Sequence, residues 1–356
     1  MRICCTMIVK NEAHVIRRCL ESVLPLVDCV CICDTGSTDE TKDVFIQTLC
    51  ASSEPVIWRR RDNEPAGPGL WAPCKWVNFG HNRTEAFRIA EGEFDLGPDD
   101  WHLVIDADDV LELADLAEAR KQIAEQVDAH CLMVRVLHAN IDHWRPQFFR
   151  ADGYWEYRGP LHEGAYRTAG QPDPVKGSIH LALRYRVIGG GARSLISQEA
   201  KFAADVATLE AHLADHPEDA RSQFYLAQSL RDAGRIPEAI QAYLKRASMR
   251  GWDQEKYYAL LQAGRLKQLP GQDRSNIRDV FLHAFKLDPT RAEAPFELAR
   301  YMTEAPDCII GTMAEGAAWA EIAARSPEPS KGALFAEPQV WHWSKALAAG
   351  LRARWL

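Results

Sequence analysis

Residues 101–109 read Trp-His-Leu-Val-Ile-Asp-Ala-Asp-Asp. The apolar run 103–105 predicts a short strand, and Asp106, Ala107, Asp108 and Asp109 stand where that strand ends. Successive side chains on an extended chain alternate, so Asp106 and Asp108 are expected to point one way and Asp109 another. Two carboxylates held side by side repel one another unless a cation joins them, and hard oxygen ligands suit Mg2+ or Mn2+. Two further strand ends carry polar residues. The β-branched-rich run 3–9 stops at Lys10-Asn11-Glu12, and the run 29–33 stops at Asp34-Thr35-Gly36-Ser37. In open α/β sheets ligands bind outside the carboxyl ends of the strands, so three polar ends predict one site.

Helical patterns alternate with these strands. Asn11 is placed to cap a helix over 12–24, where Val15, Ile16, Cys19, Leu20 and Val23 form one apolar stripe. Ser37 or Thr38 is placed to cap a second helix over 39–49, whose N-terminus favours anions. Gly36 permits a positive φ and lets a ligand approach the backbone, and Asp34 is placed to accept hydrogen bonds from a ribose or base. A third strand is expected at 56–58, a long loop rich in Pro and Gly at 62–79, a helix at 82–90, and strands at 132–137 and 147–150. This alternation predicts a Rossmann-like α/β domain over 1–190, a mostly parallel sheet with helices on both faces.

After Gly189-Gly190-Gly191 no strand pattern remains, and 195–356 reads as all-α. Pro217, Ala220, Phe224, Leu226 and Ala227 recur as Pro289, Ala292, Phe296, Leu298 and Ala299; halfway between, Leu260, Leu261 and Ala263 align with Phe224, Tyr225 and Ala227. Repeated helix pairs of this length carry the tetratricopeptide signature, and they build a solenoid whose concave face binds peptides or proteins.

Composition narrows the function classes. The 356 residues fit about two domains. A formal net charge of −8 makes nucleic acid an unlikely partner. No apolar run reaches the length of a transmembrane helix, and the apolar start turns polar at Lys10-Asn11-Glu12, too soon for a signal peptide, so the reducing cytoplasm is the expected compartment. No Gly-x-Gly-x-x-Gly and no Walker loop occurs, which disfavours a dinucleotide cofactor and a P-loop ATPase.

Met7-Ile8-Val9-Lys10-Asn11-Glu12, Asp34-Thr35-Gly36-Ser37-Thr38-Asp39 and Asp106-Ala107-Asp108 together resemble the pattern of glycosyltransferase family 2, with the GT-A fold. Arg145–Arg150 and Tyr157–Glu163 resemble the distal part of that domain. With the helical region, the chain is similar to bacterial two-domain members, including the sublancin-type peptide S-glycosyltransferases. The resemblance implies a metal-dependent, inverting transfer of a sugar from a nucleotide-sugar, in the first instance a UDP-sugar, to a peptide, protein or glycan. It implies that Thr6, Glu12, Asp34, Gly36 and Ser37 hold the nucleotide. Asp106 and Asp108 would bind the metal (Mn2+ or Mg2+) and the diphosphate, with His162 as a further ligand. Arg83 would neutralise leaving-group charge. Inversion requires a general base, for which the candidates are Glu163, then Glu156 and Asp142. Two rival readings are a nucleotidyltransferase, disfavoured by the absence of its Gly-rich activation loop, and a tetratricopeptide adaptor with an inactive transferase domain.

Eight of the ten cysteines lie at or before Cys74, and no pairing follows from their spacing. Cys29, Cys31 and Cys33 share one strand face and read as small core residues. Trp71, Trp76 and Phe79, preceded by Arg59, Arg60 and Arg61, suit a lid that would fold over sugar, base and phosphates. Trp341 and Trp343 are expected to pack a capping helix.

Overall fold

The computed structural model describes residues 1–51, 69–138, 141–304, 310–328 and 334–355. The chain forms two compact units, Met1–Lys201 and Phe202–Leu356.

The first unit runs β1 (Ile3–Val9), α1 (Ile16–Val23), β2 (Cys29–Asp34), α2 (Thr41–Ala51), β3 (Gly69–Pro73), α3 (Phe79–Phe94), β4 (Trp101–Val104), β5 (Val110–Leu113), α4 (Leu116–Ala124), β6 (Cys131–His138), β7 (Ile141–Arg150), β8 (Trp155–Arg158), β9 (Gly164–Arg167), β10 (Lys176–Ser178) and β11 (Leu183–Arg186). Among the described residues nine strands form one sheet in the order β3-β2-β1-β4-β7-β6-β11-β5, with β10 added beside β6. It is parallel from β3 through β4, then mixed: β7 runs antiparallel to both neighbours and β5 antiparallel to β11. β8 and β9 make a separate antiparallel pair.

β1 is central because both its faces are apolar. Ile3, Cys5, Met7 and Val9 pack into a cluster with Ile16, Cys19, Leu20 and Val23 of α1. Cys4 on the other face joins Cys29, Cys31, Ala90 and Phe94, under α3. A strand buried on both faces reads as a continuous apolar run, as this one does. Leu20 is fully buried, so Leu20→Ala would cost about 3 kcal/mol in lost transfer energy and cavity.

Four local expectations change. α1 begins at Ile16, with no side-chain cap at Val15. Asn11 adopts φ 57°, and its Oδ1 accepts from the Thr38 amide instead of capping α1. The start of α2 is held by Asp39 rather than Ser37 or Thr38: Asp39 Oδ1 accepts from Thr41 N at 3.1 Å, while Ser37 is engaged with Asp34. The expected loop 62–79 contains β3, an edge strand parallel to β2. The expected strand at 56–58 and Arg59, Arg60 and Arg61 lie outside the described residues. Trp71 lies in β3 and packs on Phe45 with ring centroids 5.5 Å apart, and Trp76 meets Phe79 edge-on at 4.9 Å.

The second unit is helical: the rest of α5 (Gln198–Asp215), then α6 (Ala220–Asp232), α7 (Ile236–Ser248), α8 (Asp253–Lys267), α9 (Ile277–Leu287), α10 (Glu293–Glu304), α11 (Ile310–Arg325) and α12 (Pro338–Trp355). The repeat is visible in the packing. Phe224, Leu260 and Phe296 hold equivalent buried places in α6, α8 and α10, as do the fully buried Ala227, Ala263 and Ala299. Arg246 of α7 is buried against Glu255 of α8 at 2.8 Å, fixing that pair of helices in register. In α12 Trp341 donates to the Ser326 carbonyl at 2.7 Å, whereas Trp343 stays exposed. No helix of the described residues is long and apolar enough to cross a membrane.

Candidate active site

β1 lies between β2 and β4, so connections leave it in opposite directions along the sheet. Such a switch point opens a crevice at the carboxyl edge. Lys10–Glu12, Asp34–Ser37 and Asp106–Asp109 all leave the sheet there, because β1, β2 and β4 are mutually parallel in register.

At the end of β2, Asp34 Oδ1 accepts from Gly36 N, Ser37 N and Ser37 Oγ, the last at 2.7 Å. Its Oδ2 has no hydrogen-bond partner among the described residues. Gly36 has φ +102°, and nothing lies within 4 Å of where a Cβ would stand, so glycine is required by the backbone while the space stays open. Ser37 Oγ also accepts from Asn11 N at 3.0 Å, which ties the ends of β1 and β2 together. Thr6 lies buried in mid-β1 and, with Ile8, Arg83, Phe87 and Val104, lines a narrow crevice under the edge.

At the end of β4 the chain turns, with Asp109 N donating to Asp106 O. This turn replaces the extended geometry that would have aligned Asp106 with Asp108, and the two carboxylates take different partners. Asp106 accepts from Arg83 Nη2 at 2.6 Å, and the same guanidinium donates through Nε to Glu163 Oε1 at 2.6 Å. Burial works to raise the Asp106 pKa; the Arg83 charge and hydrogen bond, with Arg145 beyond them, outweigh it and hold the carboxyl below its ordinary value. Arg83 projects from α3 just past its first turn, which Asn78 caps, its Oδ1 accepting from His81 N. Gly80 permits that turn to seat: a Cβ there would meet the Gly159 carbonyl at 2.7 Å. The loop from Gly159 to Glu163 is thereby brought against α3.

Asp108 faces the other way. Its Oδ2 accepts from Gly191 N at 3.0 Å, and Glu12 accepts from the next amide, Ala192 N, at 3.1 Å. A Cβ on Gly191 would lie 3.0 Å from both Asp108 Oδ2 and Glu12 Oε2, so these two carboxylates crowd one point. Burial pushes Glu12 up to about 7, and the Asp108 charge adds to it, against the pull of Ala192 N. Asp109 is buried and accepts from Tyr185 OH at 2.6 Å and Ile188 N at 3.0 Å. Its pKa is raised by burial, with Asp106 and Asp108 adding repulsion.

The remaining candidates separate. His162 is exposed, with φ 52°, next to Glu163 in the 159–163 loop. Asp106, Asp108 and His162 do not gather into one three-ligand cluster among the described residues. Glu156 lies on β8, where it accepts from its neighbour Arg158 at 2.6 Å, and no contact joins it to Arg83 or Asp106. Asp142 stands near the start of β7, opposite Leu137; its side chain lies outside the described residues. Two residues of the cluster were not among the site candidates read from the sequence. Tyr185 donates to Asp109 and accepts from Asp106 N, and Arg145 stacks over the Tyr185 ring at 4.8 Å. Both lie on later strands, and only the fold brings them to the β4 end.

Residues 4–175 match the profile of Glycosyl transferase family 2. A TPR repeat-containing protein of Synechococcus elongatus is 28% identical over 262 residues, covering 69% of this chain and 56% of its own length. The chain thus spans about half the length of that curated relative. A solved S. aureus structure, TarS 1-349 in complex with UDP-GlcNAc, has 16% identity and a TM-score of 0.34, over 82% of this chain and 90% of that one. The three polar strand ends, Arg83 and Glu163 all fall inside the matched stretch; Tyr185 and Gly191 lie just beyond it.

Proposed function

We propose that the chain is a glycosyltransferase that moves a sugar from a nucleotide-sugar, a UDP-sugar first among them, to a peptide or protein acceptor held by the helical unit, with inversion. The observation that carries the reading is the Arg83 bridge between Asp106 and Glu163 at the carboxyl end of β4, inside the stretch that matches the family 2 profile. In this reading Asp34 offers its open Oδ2 to the nucleoside, and Gly36 leaves room for it.

Asp106 and Asp108 offer hard oxygen atoms. They do not form a closed cage, which suits Mg2+ or Mn2+ held by one or two carboxylates together with substrate phosphates. Such an ion, when bound, supplies charge neutralisation to the diphosphate. Arg83 adds a fixed positive charge beside the leaving nucleoside diphosphate, where preorganised donors act most strongly. Glu163 is held by Arg83 through one oxygen, and its Oε2 takes the acceptor proton as sugar transfer proceeds. His162 joins no cluster with Asp106 and Asp108 among the described residues, and the reading gives it no ligand role.

The test is UDP release from a panel of UDP-sugars with Mn2+, with Mg2+ and with chelator, alongside Asp106→Ala and Asp108→Ala. Metal-dependent release, selective for one donor and reduced in both variants, is the expected result. Absence of any calorimetric UDP binding in either metal would sink the reading.

A further inference from the structure

We infer that Cys33 and Cys74 are a reversible dithiol–disulfide pair that fixes the chain segment leading into α3. Cys33 closes the buried face of β2, one residue before Asp34, and Cys74 follows the last residue of β3. They are bonded to one another across a sequence separation of 41, with Cα atoms 5.8 Å apart, an ordinary disulfide span.

Three observations point to exchange rather than a permanent staple. Cys74 is only half-buried, whereas Cys33 is fully buried, so Cys74 is the cysteine an exchanging thiol or disulfide reaches first. Cys33 also has a partner for its reduced form: Glu85 Oε2 lies 3.9 Å from Cys33 Sγ, within reach of a thiol hydrogen. Sγ of both cysteines and a Glu85 oxygen lie within 4.8 Å of one another, so the reduced state keeps its polar contacts satisfied. The neighbouring cysteines do not compete. Cys4, Cys5 and Cys31 are buried, and burial pushes the Cys5 thiol up to about 12.

The pair sits in a chain of contacts. Cys74 N donates to Asp34 O at 2.7 Å. Beyond it, Asn82 Nδ2 donates to Lys75 O and to Glu85 Oε2, and Asn82 Oδ1 accepts from Val77 N. Residues 74–78 are thus clamped between the sulfur bond on one side and the first turn of α3 on the other, and Arg83 follows that turn directly. Opening the bond frees the first clamp.

The step balances as thiol–disulfide exchange with a low-molecular-weight disulfide such as glutathione disulfide. The Cys74 thiolate attacks one sulfur of the oxidant and expels the first thiolate, which takes up the Cys74 proton. The Cys33 thiolate then attacks Cys74 Sγ and expels the second, which takes up the Cys33 proton. Two electrons pass from the cysteines to the oxidant, which leaves as two thiols.

The test uses the full-length protein equilibrated across a glutathione redox series, trapped with an alkylating agent and mapped by peptide mass. The expected result is one reversible transition in which Cys33 and Cys74 lose alkylation together, with a mass decrease of two hydrogens, while exposed Cys50 forms only a mixed disulfide. Hydrogen exchange on the same samples is expected to slow about tenfold at the Val77 and His81 amides in the oxidised form, and Cys33→Ser is expected to lose that difference. Cys33 and Cys74 staying alkylatable throughout, or linking to other cysteines, would overturn the pair. Equal exchange at Val77 and His81 in both forms would overturn the coupling to α3. Neither readout depends on the transferase reading.

Discussion

Asp106 and Asp108 are two residues apart, yet they live in different chemistry. Asp106 is held by side chains: a guanidinium that also grips Glu163. Asp108 is held by backbone, the Gly191 amide, beside a second carboxylate, Glu12. The first environment brings positive charge and lowers the carboxyl pKa. The second buries Glu12 beside a like charge, and these together raise its pKa against the pull of the Ala192 amide. An Asp-x-Asp motif is therefore not two copies of one ligand. One position is tied to the machinery that α3 presents, the other to the segment that leaves the sheet after β11.

If that division holds, Asp106→Ala should lower donor turnover on the order of 100-fold, and Asp108→Ala clearly less, read as kcat/KM for UDP release. Equal losses would erase the distinction. Arg83→Met leaves two carboxylates without their shared partner. Because Asp106 is partly exposed, the expected cost is about 2 kcal/mol, less than for a fully buried pair, measured by urea unfolding. Glu12 sharpens the other side. Its native pKa near 7 stands above the ordinary 4.5, so between these pH values the folded chain keeps a proton that the unfolded chain has lost. Its contribution is complete below pH 4.5 and is lost as pH rises through 7. Glu12→Gln, in chelator, should gain about 1 kcal/mol over wild type at pH 8 and nothing at pH 4, after discounting for partial exposure. The smallest effect is expected from Gly191→Ala. Its Cβ presses on Asp108 and Glu12, and an unchanged donor Kd would show that the 191–192 segment moves away freely; about a fivefold weakening is expected.

The strand ends were legible because a polar cluster after an apolar run means little else in an α/β sheet. The helical repeat was legible because Phe224, Leu260 and Phe296 recur at one spacing and one depth. What escaped had local reasons. β3 is an edge strand of five residues ending in proline, with glycine at its start, and edge strands tolerate the residues that otherwise signal a loop. Asn11 looked like a cap because its residue type favours caps; its left-handed backbone and the competing Thr38 amide took it elsewhere. Asp106 and Asp108 diverge because a turn follows β4, and alternation applies only within a strand. Tyr185 and Arg145 reach the cluster across long sequence separations, for which a single sequence carries no signal.

Tyr185 also sets an order of events during synthesis. β11 inserts between β6 and β5, and β5 has β11 as its sole described neighbour in the sheet. The acidic turn and β5 therefore emerge from the ribosome more than 70 residues before the strand that pins them. A nascent chain ending at residue 175 would present β5 as an unpaired ribbon and Asp109 without its hydroxyl donor. Such long-range closure is slow and must wait for the late strand, so a self-standing fragment has to be cut downstream of Ala192.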